Sequence, residues 1–167
     1  MGSLRAAITA LTGITALYMG LVVFGNVTDY GTNHAFVQHV LAMDTTFGSP
    51  NTSWRAITSP TAVTVAYLLI IAWEAVTALA LLAGLVAWLR GREAVGRALS
   101  STGWVMQALL FGGGFIAIGG EWFAMWQSKD WNGLTPAFQN FVVAALGLVL
   151  LHAGRREAAP VRDGAAV

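Results

Sequence analysis

Four stretches of this chain are apolar for long enough to cross a lipid bilayer, which takes about 20 helical residues. They run from about residue 4 to 24, 61 to 89, 102 to 126 and 136 to 152. Between them the sequence has little with which to cover a water-facing surface. Hydrophobic residues make up 56% of the 167 residues and charged residues 10%, with a mean hydropathy of +0.65. An average soluble domain carries about 25% charged residues. A soluble helical bundle would need charged faces on the second to fourth stretches, and these have almost none. The sequence therefore predicts an all-α, four-helix transmembrane bundle, a single multi-pass membrane domain over residues 1–153. The stretch 154–167, rich in Arg, Ala and Gly, is expected to be a disordered cytoplasmic tail.

Punctuation along the chain supports the boundaries. Ser59-Pro60 and Thr135-Pro136 each place a capping residue before a proline at the first helical position. Asn132-Gly133 marks a turn in the short link before the last span. The first apolar run is too long for the core of a cleaved signal peptide, and no small-residue cleavage site follows it. It is expected to stay as a membrane helix.

Positive charge sets the expected orientation. Arg5, Arg90, Arg92, Arg97, Arg155, Arg156 and Arg162 flank one side of the spans, against only Arg55 and Lys129 on the other. By the positive-inside rule both termini are cytoplasmic and the 25–60 and 127–134 loops lie outside. A plasma or bacterial inner membrane is the expected location. Trp54, Trp122, Trp126 and Trp131 fall near the outer boundary, with Trp88 and Trp104 near the inner one.

Polar residues inside the spans are the candidate functional groups, because hydrocarbon penalises them. Glu74 lies near the middle of the second span and Glu121 about a turn from the outer end of the third. Gln107, Gly114 and Glu121 recur every seven residues, which on a regular helix places them on nearly one inward face. Asn140 enters the fourth span near the level of Glu121. Hydrogen bonding between helices accounts for Gln107 and Asn140. The two glutamates ask for more, since glutamine would meet a packing role at lower desolvation cost.

The first loop carries a second set of candidates. Residues 33–43 place Phe36, Val37, Val40 and Leu41 at helical spacing, which predicts a short amphipathic helix on the membrane surface or capping the bundle. His34 and His39 are five apart and diverge by about 140° on one helix, which sets them poorly for a shared metal. Donors on that side are Asp29, His34, His39, Met43, Asp44, Glu121 and Met125, and no spacing among them matches a zinc signature. No cofactor is assigned. A haem held by two histidines has only His152 available within a span, whereas a quinone pocket needs only aromatic walls and one or two polar groups. With no cysteine and a net charge of +1, thiolate chemistry is excluded and nucleic-acid binding has no support.

Two polar-aromatic motifs give a resemblance. Asn33-His34-Ala35-Phe36-Val37-Gln38-His39-Val40-Leu41-Ala42-Met43-Asp44-Thr45-Thr46-Phe47 resembles the first-loop motif of a family of small integral membrane proteins catalogued as a domain of unknown function. Gly119-Gly120-Glu121-Trp122-Phe123-Ala124-Met125-Trp126-Gln127-Ser128, followed by Trp131-Asn132-Gly133, resembles that family's second motif. The likeness extends over about residues 4–153. It implies a four-span membrane protein and brings no catalytic residues with it.

Taken together these residues give an expected outward-facing binding site of Glu121, Trp122, Trp126, Gln127, His34, His39 and Asp44, with Glu74 an uncharged internal residue. The leading functional expectation is a non-enzymatic accessory or binding subunit in the lipid bilayer, working with a partner membrane protein or a second copy. A proton-coupled carrier using Glu74 and Glu121, and a redox component holding a quinone or metal, are the alternatives.

Overall fold

The computed structural model describes residues 2–156. Its helices are α1 (Gly2–Thr28), α2 (Tyr30–Ala42), α3 (Pro60–Leu89), α4 (Glu93–Ala108) and α5 (Leu134–Arg156). Helix α4 runs on without a break into a wider π-helical segment, Leu109–Trp122. Two single 3₁₀ turns, Ser53–Arg55 and Met125–Gln127, lie in the loops. Helix α1 packs on α3, α3 on α4, α4 on α5, and α5 returns to α1. Four helical stretches, Leu4–Thr28, Pro60–Leu89, Glu93–Trp122 and Leu134–Ala153, are long and apolar enough to cross a membrane. Their outward faces are apolar, with Leu17 and Leu69 each 65% exposed. Only a lipid solvent makes such a surface favourable.

Helix ends follow local chemistry. Ser59 accepts the Ala62 amide on its hydroxyl and Pro60 opens α3, as the sequence predicts. Helix α5 starts two residues before Pro136. The Asn132 side chain accepts the Leu134 amide, and proline is tolerated in a first turn whose N–H groups have no helical partner. Helix α1 extends a full turn beyond Phe24 and so takes Asn26 into the bundle. Helix α4 begins at Glu93, nine residues ahead of the expected Thr102, where its acidic side chain favours the helix N-terminus. Arg155 and Arg156, in the expected tail, continue α5; residues 157–167, the rest of that tail, lie outside the described residues.

The core is built from large side chains set against small ones. Trp88, Trp104, Ile8, Met19 and Leu81 are fully buried. A Cβ on Gly103 would lie 2.5 Å from Leu81, and one on Gly147 would lie 2.5 Å from Trp104. Both positions need glycine for the close helix approach that replaces the hydrophobic effect in lipid.

The π-helical segment changes which residues share a face. Five of its fourteen residues are glycine, and its last hydrogen bond reaches five residues back, from the Phe123 amide to the Ile118 carbonyl at 3.0 Å. More residues per turn break the seven-residue repeat. Gln107 is fully buried, Gly114 partly, and Glu121 is exposed. The inward face expected for Gln107, Gly114 and Glu121 therefore ends before Glu121.

Helix α2 follows α1 after a single residue, Asp29, and lies across the end of the bundle. Val37 is buried against Val63 and Tyr67 of α3, and Phe36 sits over Gly133. The Ile57 amide donates to the Leu41 carbonyl at 2.8 Å, tying the returning segment of the loop to the same helix. In nanodiscs the amides of residues 33–43 should exchange hydrogen far more slowly than those of the exposed loop 48–52. Equal exchange, measured by mass spectrometry, would show that α2 is not a cap.

Candidate functional site

The two polar-aromatic motifs meet at the α2 end of the bundle. His39 stacks on Trp131, ring centroids 4.4 Å apart, while its Nδ1 sits 2.8 Å from the Asp44 carboxylate. The Thr45 hydroxyl donates to Ser128 at 2.9 Å, and Ser128 in turn accepts the Trp131 amide at 3.0 Å. Gln127 accepts the Phe47 amide on its side-chain oxygen at 2.9 Å, and the Phe47 and Trp126 rings meet edge to face. A second cluster lies beside it: the Arg55 guanidinium rests 4.6 Å from the Trp122 ring centroid and donates to the Trp122 carbonyl. Most of these groups pair with one another, although the Arg55 Nε is buried without a partner. They form a clasp that holds the first loop down on the 123–133 segment.

Beneath the clasp the structure leaves two partly open pockets. A cavity of about 240 Å³ is lined by residues from α1, α2, α3, α5 and the π-helical segment, among them Tyr18, Asn26, Asn33, Phe36, Tyr67, Glu74, Phe115 and Asn140. A second, almost wholly apolar cavity of about 210 Å³ lies against it, sharing Phe36, Val37, Ile70 and Phe115 as walls. Together they fall in the range of about 300–1,000 Å³ that small-molecule sites occupy.

Glu74 is the one acidic wall of this space. It is 3% exposed, and its Oε2 accepts a 2.6 Å hydrogen bond from the Asn26 amide of α1. The Tyr67 hydroxyl donates to the Asn26 carbonyl at 3.1 Å and so fixes that residue from the other side. Among the described residues Oε1 of Glu74 has no hydrogen-bond partner, and no lysine, arginine or histidine pairs with the carboxyl. On the facing wall Asn140 donates to the Tyr18 hydroxyl at 3.0 Å and to the Pro136 carbonyl at 2.9 Å. Behind it Gln107 donates to the Asn140 carbonyl at 3.1 Å. The result is a largely apolar chamber with one carboxyl, three amides and two phenols on its walls.

The residues singled out from sequence thus divide into separate places. His39, Asp44, Trp126 and Gln127 meet in the clasp, and Trp122 joins Arg55 beside it. His34 turns the other way: it stacks on Tyr30 and its Nε2 lies 3.2 Å from the Thr64 hydroxyl. Glu121 is exposed and lines neither cavity. Glu74 and Asn140 line the chamber, with Gln107 supporting Asn140. Among the described residues no group of three or more His, Asp or Glu is arranged to hold a metal ion. Tyr18, Asn26 and Asn33 were not visible as site residues. For Asn26 a signal existed: Thr12, Met19 and Asn26 are seven apart and all buried, so carrying the first helix one turn further would have found it.

A family model described as predicted small integral membrane protein (DUF2165) matches residues 4–153, a span that takes in α1, α2, both clasp segments and the chamber. The chain belongs to that family. Neither the curated proteins nor the solved structures give a match.

If the clasp holds α2 over the chamber, Trp131→Ala should loosen it by removing the His39 stack and the contact with Phe36. The loss should be about 1 kcal/mol, the scale of an aromatic pair. Amides of residues 36–47 should then exchange roughly fivefold faster, with the four long helices unchanged. No change in exchange would leave the stack without a holding role.

Proposed function

We propose that this DUF2165 protein is a non-enzymatic membrane binding protein that takes a small amphiphilic molecule into the chamber beneath α2. The observation that carries this reading is Glu74, a carboxyl 97% removed from solvent, bordering empty space with one oxygen free of protein partners. A buried carboxyl without a cation is costly unless something complements it. A ligand with a hydrogen-bond donor or cationic head supplies the complement at Oε1, and its apolar body fills the second cavity along Phe115, Val37 and Leu41. Asn26 orients the carboxyl, and Tyr67 orients Asn26.

The clasp acts as the lid's fastening in this reading. Its aromatic and polar groups mainly contact one another, and in this reading the binding chemistry lies in the chamber. Carriage through Glu74 and Glu121 together has less support, since Glu121 stands on the surface. The orientation we propose puts the arginine-rich end in the cytoplasm and α2 outside, so the ligand enters from the outer side of a plasma or bacterial inner membrane.

Two experiments test these statements. Protein purified from native membranes should carry a small molecule that organic extraction and mass spectrometry detect. Glu74→Gln should weaken its retention about tenfold, the loss of one hydrogen bond, and Glu121→Gln should leave it intact. Retention lost only in Glu121→Gln would move the site to the surface and overturn the proposal. For orientation, single cysteines at the exposed positions Ser53 and Ala94 can be placed in the cysteine-free chain. An impermeant thiol reagent on intact cells should label position 53 and spare position 94; the reverse pattern would invert the topology.

A further inference from the structure

At the end of the bundle opposite α2, a groove of about 400 Å³ opens between the last turns of α3 and the start of α4. Its wall is apolar, with Leu82, Val86 and Val95 facing outward on the surface that meets lipid tails. Its rim carries Arg90 and Arg92, on either side of the turn at Gly91, whose φ of +72° lets the chain reverse directly after the span. The neighbouring charges do not neutralise them. Glu93 is paired with Arg5 at 3.0 Å, and Arg97 donates to the Leu151 carbonyl on another side of α4. Among the described residues neither Arg90 nor Arg92 makes a side-chain hydrogen bond or ion pair.

We propose that this groove is a binding site for one anionic phospholipid, with its phosphate between Arg90 and Arg92 and an acyl chain along Leu82 and Val86. Charge complementarity selects the head. The apolar wall, continuous with the lipid-facing surface of α3, selects a lipid over a free phosphate. Because the rim follows the last residue of a membrane span, the two arginines stand at headgroup level. Basic pockets between helices at that level hold anionic headgroups. The site is separate from the chamber and stands or falls without it.

The test is native mass spectrometry of the full-length protein, stripped of lipid and titrated with phosphatidylglycerol or with phosphatidylcholine of the same chains. Wild type should retain one phosphatidylglycerol in preference to phosphatidylcholine. At about fivefold per surface arginine, the double variant R90Q/R92Q should lower that retention about 25-fold. Leu82→Trp should lower it with both arginines kept, because the indole fills the acyl track. Lys129→Gln, at the opposite end, should change nothing. Equal retention of the two lipids, or wild-type retention in R90Q/R92Q, would overturn the site. Displacement of the lipid by glycerol phosphate at the concentration effective for a diacyl competitor would show that the groove reads phosphate alone, and would overturn the lipid assignment.

Discussion

Lipid offers no hydrogen bonds, so the polar side chains of this bundle turn to their own helix backbone, as Thr77 does to Trp73, or to a neighbouring helix. That constraint explains most of the interior. The Trp88 indole donates to Ser100, and the Ser100 hydroxyl lies 3.1 Å from Thr12, so one chain of contacts joins α3, α4 and α1. The Trp104 indole reaches Thr15 of α1, and Gln107, Asn140 and Tyr18 run across α4, α5 and α1 in the same way. Asn26 and Glu74 close the contact between α1 and α3 nearest α2. These polar ties set the helix register where apolar packing alone would let one helix slide on another.

The π-helical segment determines where the bundle is sealed and where it is open. Over Glu93–Ala108 the helix is regular, glycines meet large side chains, and the interior is filled. Beyond Leu109 the backbone widens, and both cavities have walls on this stretch, Phe111 and Phe115 in one and Leu110, Gly114, Phe115, Ile118 and Gly119 in the other. Such segments recur at functional sites because the extra residue in each turn re-aims side chains. Here the widening directs Glu121 outward and leaves space beside Glu74. One local change in hydrogen bonding thus removes one acid from the interior and gives room to the other.

Legibility of the sequence varied with the length scale of the signal. The spans were readable because some twenty apolar residues in a row admit few other structures, and α2 was readable from the spacing of Phe36, Val37, Val40 and Leu41. The pairing of the two motifs was also within reach, since both fall at the same end of the molecule; His39 on Trp131 and Thr45 on Ser128 realise it. What was hidden depends on backbone geometry that no periodicity announces. A seven-residue repeat through Gly112, Gly113 and Gly114 assumes a regular helix, and the π hydrogen bonding invalidates that assumption. Asn26 was hidden by a boundary placed one turn early, at Phe24, and with it the partner of Glu74.

The contrast between Gln107 and Glu74 is what motivates the binding role proposed for the chamber. Both side chains are buried, and each is tied to an asparagine on a neighbouring helix. At position 107 the amide serves as donor to Asn140, a task that needs no charge. At position 74 the protein requires only an acceptor for Asn26, which the oxygen of a glutamine would provide without the desolvation cost of a carboxylate. The carboxyl therefore adds nothing to the tie between α1 and α3 that an amide lacks. The Gln107 oxygen is also without a hydrogen-bond partner, so what the carboxyl adds is a titratable group on a wall with space alongside. Packing explains why position 74 is polar; the proposed ligand in the chamber would account for its being acidic.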